Sequence, residues 1–193
     1  MKKLIVLAVV MMASLGAYAQ HPPGSLTIQP RIGISAADFN STYDTEARVG
    51  LVAGAELEYQ INNWLSLAGG VNYSQQGADE KVQVGSMTWE LDYLTVPMVA
   101  NFYVLKGLAL KAGLQPGFKL NAKLEREANG HSDSADLKNV KGFDLAMPVG
   151  LSYEFKRFVI DARYNVGLLE VADDTDIKNL GFQLTLGYKF SLK

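Results

Sequence analysis

The chain has 193 residues with 20 acidic and 18 basic side chains, a formal charge of −2, and no cysteine. The missing cysteine excludes disulfides and a lipoprotein anchor, and the acidic balance excludes the basic face that nucleic-acid binding needs. The length suits one domain, and no linker or low-complexity tract divides it.

Met1-Lys2-Lys3, the apolar run Leu4–Leu15 and the sequence Gly16-Ala17-Tyr18-Ala19 read as the n-region, h-region and A-x-A site of a signal peptide. The run falls short of the ~20 residues of a membrane-spanning helix. The expectation is export, cleavage after Ala19, and one domain over residues 20–193.

From Leu26 onward the pattern is period two, as in strands, whose side chains alternate between faces. Leu26, Ile28, Pro30, Ile32, Ile34 and Ala36 share one parity, and Thr27, Gln29, Arg31, Gly33 and Ser35 the other. The same alternation recurs over 49–59, 65–74, 94–102, 108–122, 143–155, 160–168 and 180–190, making eight predicted strands. The apolar parity carries no charge. The opposite parity carries five bases, Arg31, Lys111, Lys119, Arg163 and Lys189, and five acids, Glu56, Glu58, Asp144, Glu154 and Asp161.

Soluble sandwiches alternate too, but four features favour a membrane barrel. Several strands reach the ~9–11 residues of a tilted membrane strand. The small, glycine-rich and charged parity suits a narrow lumen better than a soluble exterior. Short connections near 60–64, 103–107 and 156–158 alternate with long polar ones, the pattern of periplasmic turns and outer loops. Aromatics gather near the short turns as an interfacial girdle: Tyr59, Trp64, Phe102, Tyr103, Tyr153, Phe155, Phe158, Tyr188 and Phe190. The predicted fold is an all-β, eight-stranded, antiparallel up-and-down transmembrane β-barrel in a bacterial outer membrane.

Four segments carry a further resemblance: Tyr93-Leu94-Thr95-Val96-Pro97-Met98, Ala112-Gly113-Leu114-Gln115-Pro116-Gly117-Phe118, Asp161–Leu168 and Leu186-Gly187-Tyr188-Lys189-Phe190. Through them the chain resembles the small outer-membrane β-barrel family abundant in Bacteroidetes, described as porin-like or PorT-like. The resemblance implies an eight-stranded barrel and no single activity. The family often has a carboxylate where this chain has Thr95.

Isolated buried charges are costly, so the ten inward charges are expected to pair as a structural network filling the lumen. No catalytic, cofactor-binding or metal-ligating set stands out. His21 sits in a flexible start beside Pro22-Pro23. His131 and its neighbours Ser132 and Asp133 lie in the longest loop, without the scaffold a triad requires. Asp173-Asp174-Thr175-Asp176 lacks the spacing of an EF-hand and reads as a solvated acidic loop. The favoured reading is a non-enzymatic barrel in contact with outer-membrane lipid, with partners met at loops 37–47, 77–91, 124–141 and 169–178 and no nucleic acid bound. The alternatives are small-solute transport or an accessory role in secretion, and a lipid-modifying enzyme.

Overall fold

A strand with hydrocarbon on one face and charge on the other has two ways to be buried. Its apolar face packs inward on a protein core or outward on lipid. The computed structural model of the chain takes the second arrangement. It describes residues 21–40, 46–81, 86–128, 131–136, 140–171 and 177–192. The signal segment 1–19 and the acidic run 173–176 lie outside the described residues.

The strands are β1 (Leu26–Asn40), β2 (Glu46–Gln60), β3 (Leu65–Lys81), β4 (Ser86–Thr95), β5 (Met98–Leu105), β6 (Leu108–Ala128), β7 (His131–Asp136), β8 (Phe143–Phe155), β9 (Phe158–Glu170), β10 (Lys178–Tyr188) and β11 (Phe190–Ser191). β4 and β5 form one stave interrupted at Val96-Pro97, and β10 and β11 form one interrupted at Lys189. β7 pairs with β6 alone and stands off the ring. Eight antiparallel staves remain, and β1 closes the ring by pairing with β10 and β11. Closure leaves no sheet edge among the staves.

Pro97 has no N–H to give a ladder, yet the stave stays tied at the break. Val96 N donates to the Pro116 carbonyl at 2.8 Å, and the Pro97 carbonyl accepts from Gly70 N at 3.0 Å. The short turns use local chemistry. Gly107 at φ 79° and Lys156 at φ 59° supply the left-handed backbone of two-residue hairpins. Asn62 Oδ1 accepts from the backbone N–H of Trp64 and Leu65, both at 2.9 Å.

Burial is inverted relative to a water-soluble protein. Ile32 is 58% exposed, and Leu51, Leu67, Met98, Leu114, Leu151, Ile160 and Leu184 also face out. Thr27, Gln29, Arg31, Glu56, Asn72, Asn101 and Arg163 are buried. A contiguous apolar exterior of this kind is stable only against hydrocarbon.

Two expectations need correction. The first is that the connections were expected to be loops, whereas much of 37–40, 46–47, 77–81, 86–91, 124–128 and 131–136 is strand. β3 and β4 pair from Asn72↔Thr95 out to Lys81↔Ser86, and β6 folds back on β7, which contains His131. The alternation reverses there. Leu91 and Tyr93 point inward and pack with Ala122, Val171 and Val140, while Glu90 and Asp92 are partly exposed. Beyond the lipid, apolar side chains turn away from water, so a pattern keyed to outward apolar positions stops at Leu94.

The second is that Tyr103 does not belong to the aromatic girdle. It faces the lumen at 4% exposure, whereas Trp64 stacks on Phe102 at 6.2 Å and Tyr188 meets Phe158 at 5.1 Å and Phe190 at 4.8 Å.

Candidate functional site

The interior is built in layers along the barrel axis. At the short-turn end Lys189 sits between two acids, with its Nζ 2.7 Å from Glu58 Oε2 and 2.8 Å from Glu154 Oε2. Tyr103 donates its hydroxyl to Glu58 Oε1 at 2.5 Å, and Ser66 Oγ donates to the same oxygen at 2.5 Å. His21 Nε2 lies 3.0 Å from Glu154 Oε1, its side chain mostly buried. The start of the described chain is therefore docked on the barrel, not the free leader that its two prolines suggested.

The next layer is an ionic belt. Arg163 on β9 donates from Nη1 to Glu56 Oε1 at 2.7 Å and from Nη2 to Glu56 Oε2 at 2.8 Å. Its Nε donates to Asp161 Oδ1, and Nη2 to Asp161 Oδ2, both at 2.8 Å. Arg31 Nη1 reaches Glu56 Oε1 at 2.5 Å, and Lys111 Nζ donates to Asp161 Oδ2. Planar guanidinium groups suit this geometry, because a bidentate fork satisfies both oxygens of a carboxylate at once.

Glycines make room for these large side chains. Arg31 has Gly54 and Gly187 as its ladder neighbours, and Gly150 stands between Lys111 and Arg163. A Cβ on Gly150 would sit against the Ala162 carbonyl and Arg163 Cα. Alternating bulk and absence of bulk is what lets a narrow barrel hold its charges in one plane.

Two of the ten charges expected to pair with one another stand elsewhere. Lys119 is only half-buried and donates to the Val140 carbonyl at 2.5 Å. Asp144 is buried and accepts from Asn179 Nδ2 at 2.9 Å and from Leu145 N at 2.8 Å, with no base beside it among the described residues. Both lie above the belt, toward the long hairpins, where inward bases are sparse. Above the belt the lumen is lined by amides and hydroxyls, including Gln115, Asn165, Gln183, Thr95 and Ser35. The apolar cluster of Leu91, Tyr93, Ala122 and Val171 caps the stack. The inward parity holds Ser66 and, continued one step past Phe102, Tyr103, but it could not say that both meet Glu58, and His21 precedes the alternation.

An eight-stave ring with lipid-type residues outside and charge inside defines an outer-membrane barrel. The chain matches the family described as outer membrane protein beta-barrel domain over residues 18–173, and it belongs to that family. It is accordingly an outer-membrane protein.

Its fold is similar to that of Ail, the attachment invasion locus protein of Yersinia pestis. The TM-score is 0.54 at 22% identity, covering 87% of this chain and 99% of that one. The structure of Ail with the heparin analogue sucrose octasulfate gives a TM-score of 0.51 at 22% identity, over 87% of this chain and 99% of that one. No curated protein matches the sequence.

Proposed function

We propose that this protein is a non-enzymatic outer-membrane anchor whose partners meet the long-hairpin end, with a lumen plugged by its ionic belt. The observation that carries the reading is the continuation of the β3, β4 and β6 ladders past the lipid-facing band, with Leu91 and Tyr93 of β4 and Ala122 of β6 turned inward. A segment that only joined staves would not need its own small core. Arg163, held by acids from two staves, and the apolar cap above it support a filled interior, because an eight-stave lumen has little room beyond its side chains.

The charge of that end points to the chemistry of the partner. Segments 37–47, 77–91, 124–141 and 169–178 together carry 14 acids and 5 bases, a net charge of −9 in a chain of −2. A field of that sign attracts basic partners and repels polyanions. Ail was crystallised with a heparin analogue; the hairpins of this chain favour the opposite ligand sign. The resemblance to PorT-like barrels rests on the strand motifs and adds no separate role to this reading.

Two measurements test it. Planar-bilayer recordings should show no stable large conductance, and a reproducible open channel would overturn the plug. The full chain in nanodiscs should bind polylysine with an affinity that falls with salt and should not bind heparin. Heparin binding, or polylysine binding unchanged when Asp38, Asp44, Glu46, Asp173, Asp174 and Asp176 are replaced by their amides, would overturn the hairpin reading.

A further inference from the structure

The buried charges of the lumen do not balance. Arg31, Lys111, Arg163 and Lys189 are four buried bases, facing Glu56, Glu58, Asp144, Glu154 and Asp161 as five buried acids. Every one of the four bases is ion-paired to an acid other than Asp144. Asp144 is the acid in excess, and its two hydrogen bonds come from neutral donors. Leaving a carboxylate buried without a countercharge costs several kcal/mol, roughly the effective penalty for one ion.

The surroundings of Asp144 are oxygen-rich. Gln115, Asn165 and Gln183 are all more than nine-tenths buried and line the same cavity as Asp144, and each has a side-chain oxygen with no hydrogen-bond partner. Gln183 uses its Nε2 on Ser74 Oγ at 3.4 Å, which leaves the oxygen for the cavity. Thr95, Tyr93, Ser35 and Gln76 also line it. Lys119, the next inward residue after Gly117 on β6, is engaged by the Val140 carbonyl. The enclosed space holds about one or two water-sized bodies, too little for a sugar or an amino acid.

A small cavity with one unbalanced carboxylate and several unpartnered carbonyl oxygens has the donor chemistry of a hard cation, which takes oxygen ligands from carboxylates and amide carbonyls together. We propose that Asp144, with the side-chain oxygens of Gln115, Asn165 and Gln183, binds a hard cation of the sodium or calcium type in the upper lumen. The ion neutralises the excess acid and braces the barrel just below the hairpins. The site is independent of what those hairpins bind.

The test uses the full chain refolded in detergent and exchanged into choline chloride. Thermal unfolding is followed by β-type circular dichroism in two arms, NaCl and CaCl2, at constant ionic strength. A ligand that binds only the folded state raises the midpoint in a saturable way, and the arm that responds identifies the charge of the ion. Asp144→Asn should abolish the rise while keeping the cation-free midpoint at or above that of the parent. Gln115→Leu, which leaves the charge untouched, should raise the half-saturating concentration at least about tenfold, which corresponds to ~1.4 kcal/mol. The combined substitution of Asp173, Asp174 and Asp176 by Asn should leave the rise intact. No response to either cation, a response that persists in Asp144→Asn, or one lost in the triple variant would overturn the proposal, leaving water and a protonated Asp144 in the cavity.

Discussion

Arg163 on β9 and Glu56 on β2, 107 residues apart in sequence, grip each other in a bidentate pair across the lumen. Two staves intervene between theirs along the shorter way round the ring, so the pair acts as a strut rather than a neighbour contact. Arg163→Met removes the bidentate partner of Glu56 and one partner of Asp161, leaving each acid a single base, Arg31 and Lys111 respectively, and carboxylate oxygens short of donors. Urea unfolding in lipid vesicles should show a loss of about 1–3 kcal/mol, the cost of buried hydrogen bonds left unmade. Arg163→Lys keeps the charge but not the fork and should recover only part of that loss.

The outer face responds to a different rule. Leu114 is among the exposed apolar residues near the middle of its stave. Leu114→Arg places a cation in hydrocarbon and should cost about 2–4 kcal/mol in the same unfolding assay. Exposed Leu192, beyond the last strand, should tolerate the same change with about 0–1 kcal/mol lost.

The belt also depends on what is absent beside it. Gly150 separates Lys111 from Arg163. Gly150→Val forces a side chain against the Arg163 backbone and should cost about 1–3 kcal/mol. The reduced stability should appear as a lower urea midpoint with an unchanged slope.

The hairpin ladders make a prediction that open loops would not. Backbone amides of β3 and β4 between Gln75 and Asp92 that lie in the paired register should exchange with deuterium more slowly than those of the 106–107 turn. Equal, fast exchange in both places would show that the ladder does not persist in solution.

The fold was legible because the lipid and the lumen impose opposite demands on alternate residues. Over the eight alternating segments between Leu26 and Phe190 that demand leaves one parity free of charge. Strand length, a glycine-rich charged opposite parity and alternating connection lengths separate it from a soluble sandwich. The pattern lost its meaning where water replaces lipid, which is why Ser86–Leu91 read as a loop although it is strand. At the site, parity placed Glu56 and Arg163 on inward faces but could not say that they meet. Pairing depends on the stagger of the staves and on the reach of each side chain, neither of which alternation encodes. Tyr103 shows the same limit. An aromatic at a strand end reads as a girdle residue unless its hydroxyl partner, Glu58, is known to lie inside.

Closure of the ring by β1 and β10 sets an order of events on assembly. Arg31 lies opposite Gly187 in that seam, so the ladder joins the first stave to the last. No pairing along it can begin before almost the whole polypeptide is available. Hairpins between sequential staves can form locally, but the seam is a contact of very high sequence separation and is intrinsically slow. Until it forms, β1 and β10 each present an unpaired edge, and the Arg31–Glu56 and Arg163–Glu56 bonds have no fixed cavity around them. The chain therefore needs to be held unassembled up to the membrane and released there, where zipping the seam and burying the belt become a single step.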